Sequence, residues 1–528
     1  MMRKLRLLYP FLFVILPILN TLTRNPGGAT LADVGWLVAV ALTACAVVYF
    51  LVALVTGGRF ANPLVPLVVV AGILWFYGYE AIRSVYRLSR STPAPIVVTG
   101  MAVIVAAAAT VAGLWWLARR PAYLDRVTTF LTLMGLLLIG WSGARIVADQ
   151  LQARSEVRNS PLANQLGQPP AVREAAARSG TVEPPDIYLV ILDEYASSSV
   201  LRERFGFDNR AFEDSLRKLG FTLPEVVQSN YVHTLLSLPS VLNFSHLAQL
   251  QQELGPRETD PALPNYLVEN NRTAAFLQSR GYQFFFFPSQ WWISTHHNRN
   301  ADWEFRAWTG FNLGRELTRS DMRRVFVGST PLSLFRRDFA HDADHVNRTL
   351  DALAQTPNRG GRKFVFAHIL SPHYPYVFEA GCRIAANRTM GGWDQRRRDA
   401  YIGQIQCLNK LLLESVNHLL QRSAKSPVIL LVGDHGTSSL RYSSAKSAAA
   451  VTPAQARERF GAFGAFHLPD GGGRLFADSV TLVNVVPKVL NYYFNAGIPL
   501  APDSLYMSLE QTPYLFAPVD PASLGGGG

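Results

Sequence analysis

The sequence predicts an N-terminal membrane region of helices followed by a large α/β domain built on a mostly parallel central sheet. Two observations carry this reading. Five apolar segments follow one another within residues 1–147, and beyond residue 185 short apolar runs alternate with helical patterns. A third points to chemistry: three of those later runs end in carboxylates or histidines. In open α/β sheets, function gathers beyond the carboxyl ends of the strands.

The apolar segments lie at about 7–22, 34–55, 63–82, 95–117 and 127–147. Most approach the roughly 20 residues that a helix needs to cross a hydrocarbon core. The first is the weakest, with Pro10, Pro17 and Asn20 inside it. Its Arg3-Lys4-Leu5-Arg6 start resembles a signal peptide, but no A-x-A cleavage site follows the apolar run. Residues 1–147 hold 12 Lys/Arg against 3 Asp/Glu, so most of the formal charge of +12 lies beside these segments. There it orients helices in a bilayer, which argues against nucleic acid as a partner.

With a cytoplasmic N-terminus, Arg3, Lys4, Arg6, Arg59, Arg119, Arg120 and Arg126 fall on the inner side. Arg24, Arg83, Arg87 and Arg90 fall on the other, a seven-to-four bias toward the cytoplasm. Five spans then put everything after Val147 outside the cytoplasm. The loop 83–90 on that outer face reads equally as an interfacial helix or a solvated turn. Domain boundaries follow: 1–147 in the membrane, a polar collar and proline-bearing linker over 148–184, a catalytic domain over 185–515 and a disordered tail over 516–528. Three cysteines exclude a disulfide-rich scaffold, and no C-x-x-C pair suggests zinc or redox work. Cys382 and Cys407 both fall where oxidation is allowed, so a disulfide and two free thiols stand as equal readings.

In the later region the strands are expected at 187–192, 282–287, 364–370 and 428–432, with helices at 209–219, 272–280, 341–354 and 402–421. The first strand, Ile187-Tyr-Leu-Val-Ile-Leu192, ends in Asp193-Glu194. Two adjacent acids repel unless a cation or a proton joins them. The run 428–432 ends in Gly433-Asp434-His435-Gly436, and 364–370 ends in Ser371-Pro372-His373. Any one of these alone reads as a cap or a satisfied histidine. Three strand ends together outweigh that reading.

A fourth piece is Thr234-Leu-Leu-Ser237-Leu-Pro239. Here the chain resembles the alkaline-phosphatase/sulfatase superfamily, in particular its membrane-anchored branch of lipoteichoic acid synthases and lipid phosphoethanolamine transferases. Those enzymes also carry five spans and an extracytoplasmic sulfatase-like domain, and the phosphoethanolamine transferases keep their nucleophile in a T-x-x-S-x-P stretch. The resemblance implies Thr234 as nucleophile, Asp193, Thr234, Asp434 and His435 as metal ligands, and His373 as the histidine facing the phosphate. Asp193 stands where the membrane transferases use Glu, and Glu194 beside it reads as a second-metal ligand or as a cap. Hard oxygens with one imidazole suit Mn²⁺, Zn²⁺ or Mg²⁺ without choosing among them. A metal-bound threonine hydroxyl becomes a usable nucleophile near neutral pH.

The sulfatase maturation motif C/S-x-P-x-R is broken at Val241, and no cysteine begins one, which disfavours sulfate-ester hydrolysis. His368 reads as a support of the site or as sheet packing, and His467 as a second-metal ligand or a structural histidine, the structural reading leading for both. The insert at about 245–362, with Trp291, Trp292, His296 and His297, reads as an acceptor cleft, an interfacial flap or simple packing. The expected function is transfer of a phosphoglycerol or phosphoethanolamine headgroup from a membrane phospholipid to an envelope glycan or lipid acceptor. The expected place is the bacterial inner membrane, with the catalytic domain in the periplasm. A phosphodiesterase using water and a non-catalytic envelope module stand as the other readings.

Overall fold

The computed structural model describes residues 8–24, 31–57, 63–89, 94–167, 184–289, 295–308, 313–317, 320–335, 338–385 and 392–524. Arg3, Lys4, Arg6, Arg59, Arg90, most of the linker, Trp291, Trp292 and Gly525 to Gly528 lie outside them. The chain divides into two compact units, Met1–Gln152 with Asn312–Arg337 and Ala153–Phe311 with Asp338–Gly528.

The first unit is built on helices Tyr9–Arg24, Leu31–Val55, Leu64–Tyr77, Tyr79–Ser89, Pro95–Ala118 and Pro121–Asn159, the last of which runs on into the second unit. Three of them, Asp33–Val55, Pro95–Ala118 and Pro121–Asn159, are long and apolar enough to cross a membrane. Leu64–Tyr77 with Tyr79–Ser89, bent by 42°, makes a fourth if counted as one span. Among the described residues this gives three or four candidate spans, and the expected count of five is not confirmed. The segment at 7–22 forms only the 16-residue helix Tyr9–Arg24 with Pro17 inside it, about 24 Å long at 1.5 Å per residue. It packs on Leu31–Val55 and Leu64–Tyr77, with Tyr9 and Ile18 buried. The loop at 83–90 is largely helix Tyr79–Ser89, where Arg83 and Arg87 both pair with Glu80. Helix Pro121–Asn159 continues into the first part of the expected collar, where residues 148–159 hold no Gly or Pro to stop it.

One piece of the insert also belongs to this unit. Helix Asp321–Gly328 lays Met322 and Phe326 against Ile18, Leu22 and Leu37, and Phe326 meets the Tyr77 ring. Arg323 is 4 % exposed. Its guanidinium lies 2.9 Å from Asp33 and 2.8 Å from Glu316, over the Trp36 ring.

Among its described residues the second unit holds ten strands: β1 (Ile187–Leu192), β2 (Val227–Gln228), β3 (Gln283–Phe287), β4 (Trp303–Glu304), β5 (Lys363–Ile369), β6 (Val428–Gly433), β7 (Gly464–His467), β8 (Val480–Thr481), β9 (Leu505–Leu509) and β10 (Thr512–Val519). The central sheet runs β4-β3-β5-β1-β6-β7, parallel except for β7 at the edge. β1 sits in the middle, pairing Leu192 with Ile369 of β5 and with Gly433 of β6. The four expected strands are present within a residue or two of their expected ends. Their residues alternate between two cores: Tyr188, Val190 and Leu192 face one, while Ile187, Leu189 and Ile191 face the other. Helices Asp338–Leu353 and Gln395–Arg422 cover the first core. Helices Thr234–Asn243, Arg272–Ser279 and Val485–Phe494 cover the second. This double burial is why these strands read as unbroken apolar runs.

Cys382 and Cys407 form a disulfide that joins the segment after His373 to helix Gln395–Arg422. The tail expected to be disordered from 516 is instead ordered to Leu524. β10 pairs with β9 through Val519, Phe516 packs edge-on against Tyr231 and Tyr506, and Leu524 is buried.

Removing one partner from a buried ion pair costs about 3–5 kcal/mol, because the other charge stays buried. Arg323→Met in the full chain should therefore lower the thermal midpoint far more than Arg217→Met, since Arg217 is itself half exposed. Adding Asp33→Asn should restore part of the loss. Equal midpoints for the two single variants would show that the Arg323 cluster contributes nothing to stability.

Candidate active site

Parallel register brings the ends of β5, β1 and β6 side by side, so Asp193, His373 and Asp434-His435 emerge together. Two backbone bonds knit the ends: Asp193 N–H donates to Ile369 O, and His373 N–H donates to Asp193 O, both at 3.0 Å. Gly433 and Gly436 serve packing rather than ligand approach. A Cβ on Gly433 would strike the Tyr195 carbonyl, and one on Gly436 would strike those of Glu458 and Gly461. Only glycine lets the Asp434-His435 turn lie this close to its neighbours.

Thr234 arrives from elsewhere. Asn230 pins the preceding segment, donating to Ser504 O at 2.9 Å and accepting from Val483 N–H at 2.8 Å. Helix Thr234–Asn243 then begins at Thr234, which puts its hydroxyl at a helix N-terminus, where backbone N–H groups favour negative charge. Its Oγ1 lies 3.1 Å from His435 Nε2. Ser237, one turn on, is buried and donates instead to the Tyr231 carbonyl at 3.0 Å.

Ligand atoms of Asp193, Asp434 and His435 lie within 4.8 Å of one another, and all three residues are buried. His435 Nδ1 faces the Gly436 carbonyl at 3.1 Å, so the proton sits on Nδ1 and Nε2 presents its lone pair. That lone pair points at Asp434 Oδ2 at 3.3 Å and Asp193 Oδ1 at 4.0 Å. Acceptors converging on one point need a cation or a proton among them. Burial would raise the Asp193 carboxyl, but His373 and then His368 outweigh it and hold it below the usual range. Burial, and then Asp193 itself, push Asp434 well above that range. Burial and Arg459 keep His435 neutral. Desolvation and mutual repulsion thus oppose two full charges here, and oxygen–oxygen–nitrogen donors with an adjacent hydroxyl fit a divalent metal.

His373, half-buried, places Nε2 4.0 Å from Glu194 Oε2 while Nδ1 faces the Tyr374 carbonyl at 2.6 Å. His368 is no distant packing residue. Its Nε2 lies 3.4 Å from Asp193 Oδ2, and Thr295 holds its Nδ1 at 2.8 Å, as a supporting residue for a metal ligand would be held. Glu194 is buried with φ of 61°, a backbone region rare for a residue with a side chain. Its N–H donates to Asp434 Oδ1 at 3.0 Å, and its carbonyl accepts from the Tyr401 hydroxyl at 2.8 Å. Its carboxylate is not among the clustered ligand atoms. Burial raises its pKa, against the pull of His373 and Arg459.

Arg459 is the residue that the sequence reading missed. It sits in the Arg457-Glu458-Arg459 run of helix Pro453–Phe460, which reads as a solvated face, yet Glu458 and Arg459 are both buried. Glu458 accepts from the Thr437 hydroxyl and from the Ser439 and Leu440 N–H groups, tying down the loop after His435. The one available signal was position: the charged pair directly precedes Phe460-Gly461 and an apolar run. Other candidates lie away from the centre. His467 bonds the Pro427 carbonyl opposite the start of β6, at the far end of the sheet, and His297 pairs with Glu304.

Residues 205–464 match the Sulfatase family model. The match opens after β1, so Asp193 and Glu194 precede it, and it takes in Thr234, His373, Asp434, His435 and Arg459. Residues 205–464 are thus similar to a sulfatase-family domain, in keeping with the resemblance. No curated protein matches the chain. Among solved structures, the C-terminal periplasmic domain of EcEptC from Escherichia coli is similar at 14% identity over 68% of this chain and 98% of that one, with a TM-score of 0.41. The same domain in complex with Zn matches at 13% over 65% and 94%, with a TM-score of 0.40. An alkaline phosphatase superfamily protein from Vibrio parahaemolyticus matches at 11% over 62% and 74%, with a TM-score of 0.36. With TM-scores below 0.5, these likenesses bear on neither activity nor site.

If Asp434 and His435 are direct ligands, Asp434→Asn and His435→Ala should each lower bound metal at least tenfold at limiting free ion, as well as rate. Elemental analysis of the purified variants checks this. Full metal content in both would remove them from the ligand set.

Proposed function

We propose that this chain is a metal-dependent transferase that moves a phospho-headgroup, phosphoglycerol or phosphoethanolamine, from a membrane phospholipid to an envelope glycan or lipid acceptor. The observation that carries this reading is the Thr234 hydroxyl, held at a helix N-terminus 3.1 Å from His435 Nε2 and beside the Asp193, Asp434 and His435 cluster. A divalent cation bound there lowers the hydroxyl pKa and draws charge from the phosphoryl oxygens. Thr234 Oγ1 gives its proton to solvent and bonds to phosphorus as the bond to the diacylglycerol oxygen breaks. His373 gives its proton to that departing oxygen. In the second half-reaction an acceptor hydroxyl attacks phosphorus and gives its proton to His373, and Thr234 leaves as the alkoxide that a bound cation would stabilise.

Ser237 supports this reading over sulfate-ester hydrolysis, since its hydroxyl is committed to a backbone carbonyl and its S-x-P-x-V motif lacks the final Arg. The Cys382–Cys407 disulfide supports an oxidising compartment, hence the periplasmic side of an inner membrane, for the catalytic domain. Three or four apolar helices fit an integral membrane protein that works where its lipid donor lies.

The test uses the full chain in vesicles of labelled phosphatidylglycerol or phosphatidylethanolamine. Wild type should release diacylglycerol from one of them and carry a headgroup-phosphate adduct on Thr234, seen by mass spectrometry when acceptor is withheld. Thr234→Ala should lose at least about a thousandfold in rate, as nucleophile removal does elsewhere, while keeping its metal. Wild-type turnover in Thr234→Ala would overturn the nucleophile assignment, and release without any protein adduct would favour direct hydrolysis.

A further inference from the structure

Three carboxylates converge at this centre, and one of them, Glu194, lies outside the ligand cluster. The nearest cation to it is Arg459, with Nη1 3.5 Å from Glu194 Oε1. Arg459 is 6 % exposed, and its position is fixed from several sides. Nη1 also donates to the Gly436 carbonyl, and the guanidinium lies over the Tyr442 ring, 5.2 Å from its centre. Nη2 reaches His435 Nε2 at 3.4 Å, on the same lone pair that Thr234 meets at 3.1 Å. Nε is buried with no hydrogen-bond partner among the described residues. A buried guanidinium with an unspent donor, beside a hydroxyl at a helix N-terminus, has the chemistry of an anion site.

We propose that Arg459 is the fixed second cation of this centre: it stands beside Glu194 where a second metal would otherwise bind, and it offers its N–H groups to a non-bridging oxygen of the phosphoryl group on Thr234. This rests on the phosphotransfer reading above. Commitment of the His435 Nε2 lone pair to a metal frees the Nη2–H for another acceptor, and the group next to Thr234 Oγ1 is the one that reacts. Glu194 then serves as the counter-charge that orients the guanidinium. The centre takes one metal ion per chain, and Arg459 supplies the remaining positive charge without exchange.

The experiment uses purified full-length protein in three forms: wild type, Arg459→Gln and Arg459→Lys, each also in a Thr234→Ala background that cannot turn over. Equilibrium dialysis against Mn²⁺ or Zn²⁺ alone counts bound ions. Calorimetry with inorganic phosphate on the metal-loaded Thr234→Ala forms measures anion affinity. All forms should hold one ion per chain. Phosphate binding should weaken about 10- to 100-fold in Arg459→Gln, as expected for losing a charged hydrogen-bond donor in a buried site. It should weaken a few-fold in Arg459→Lys, which keeps the charge and loses the fork.

Two ions per wild-type chain, or unchanged phosphate affinity in Arg459→Gln with its metal retained, would overturn the proposal. If Arg459→Gln does not fold, Arg459→Lys decides, and wild-type phosphate affinity there overturns the fork's role. Failure of the phosphotransfer reading appears separately, as full turnover in Thr234→Ala, and leaves the ion count and phosphate affinities unmoved.

Discussion

The organisation of the second unit follows from a charge problem at the ends of three neighbouring strands. Parallel pairing of β5, β1 and β6 in register forces Asp193, Glu194 and Asp434 into one buried volume. Such a cluster is unstable on its own, since desolvation and mutual repulsion act in the same direction. Each other feature at the site answers that problem. His368, held by Thr295, leans on Asp193. The Glu194 N–H and the Arg459 guanidinium take part of the remaining charge. The glycines around Asp434-His435 let neighbouring backbone come near enough to close the site.

Around this centre the framework is rigid where the chemistry needs it. Glu194 keeps its left-handed backbone because the Tyr401 hydroxyl and the Asp434 carboxylate hold both sides of its peptide. Tyr401 belongs to the long helix Gln395–Arg422, and the same helix supplies Gln404, whose amide donates to the carbonyls of Pro372 and His373. One helix thus braces two of the three strand ends. The Cys382–Cys407 disulfide joins that helix to the chain leaving His373. A change on the outer face of this helix therefore bears on the positions of His373 and Glu194 together.

Much of this was legible in the sequence, and the reasons are specific. β1, β5 and β6 are buried on both faces, so they appear as unbroken apolar runs that stop at polar residues, and those stops mark the strand ends. β7 was not legible. It is a four-residue edge strand, antiparallel to its neighbour, with Gly464 at one end and His467 at the other. The first apolar segment, already the weakest in the sequence for its prolines, forms a helix of 16 described residues with Pro17 inside it, short for a span. Arg459 escaped because a helical Arg-Glu-Arg run looks the same whether water or a buried carboxylate surrounds it. Only tertiary placement separates the two. The tail after 515 looked disordered from its Pro and Gly content, whereas the ring stack of Tyr231, Tyr506 and Phe516 holds β10 in place.

The piece 312–337 leaves the catalytic unit, joins the membrane unit and returns. The chain therefore passes between its two units three times, so they are not beads on one string. A fragment that starts after the linker is not a free-standing enzyme with its anchor trimmed away. It carries a helix whose Met322 and Phe326 have lost their apolar partners and whose Arg323 has lost Asp33. Conversely, the membrane helices expressed alone have an open seat where that helix belongs. Evolution of this chain by simple fusion or exchange of an anchor is correspondingly constrained, because any new membrane region would have to recreate the acidic and aromatic socket formed by Asp33 and Trp36.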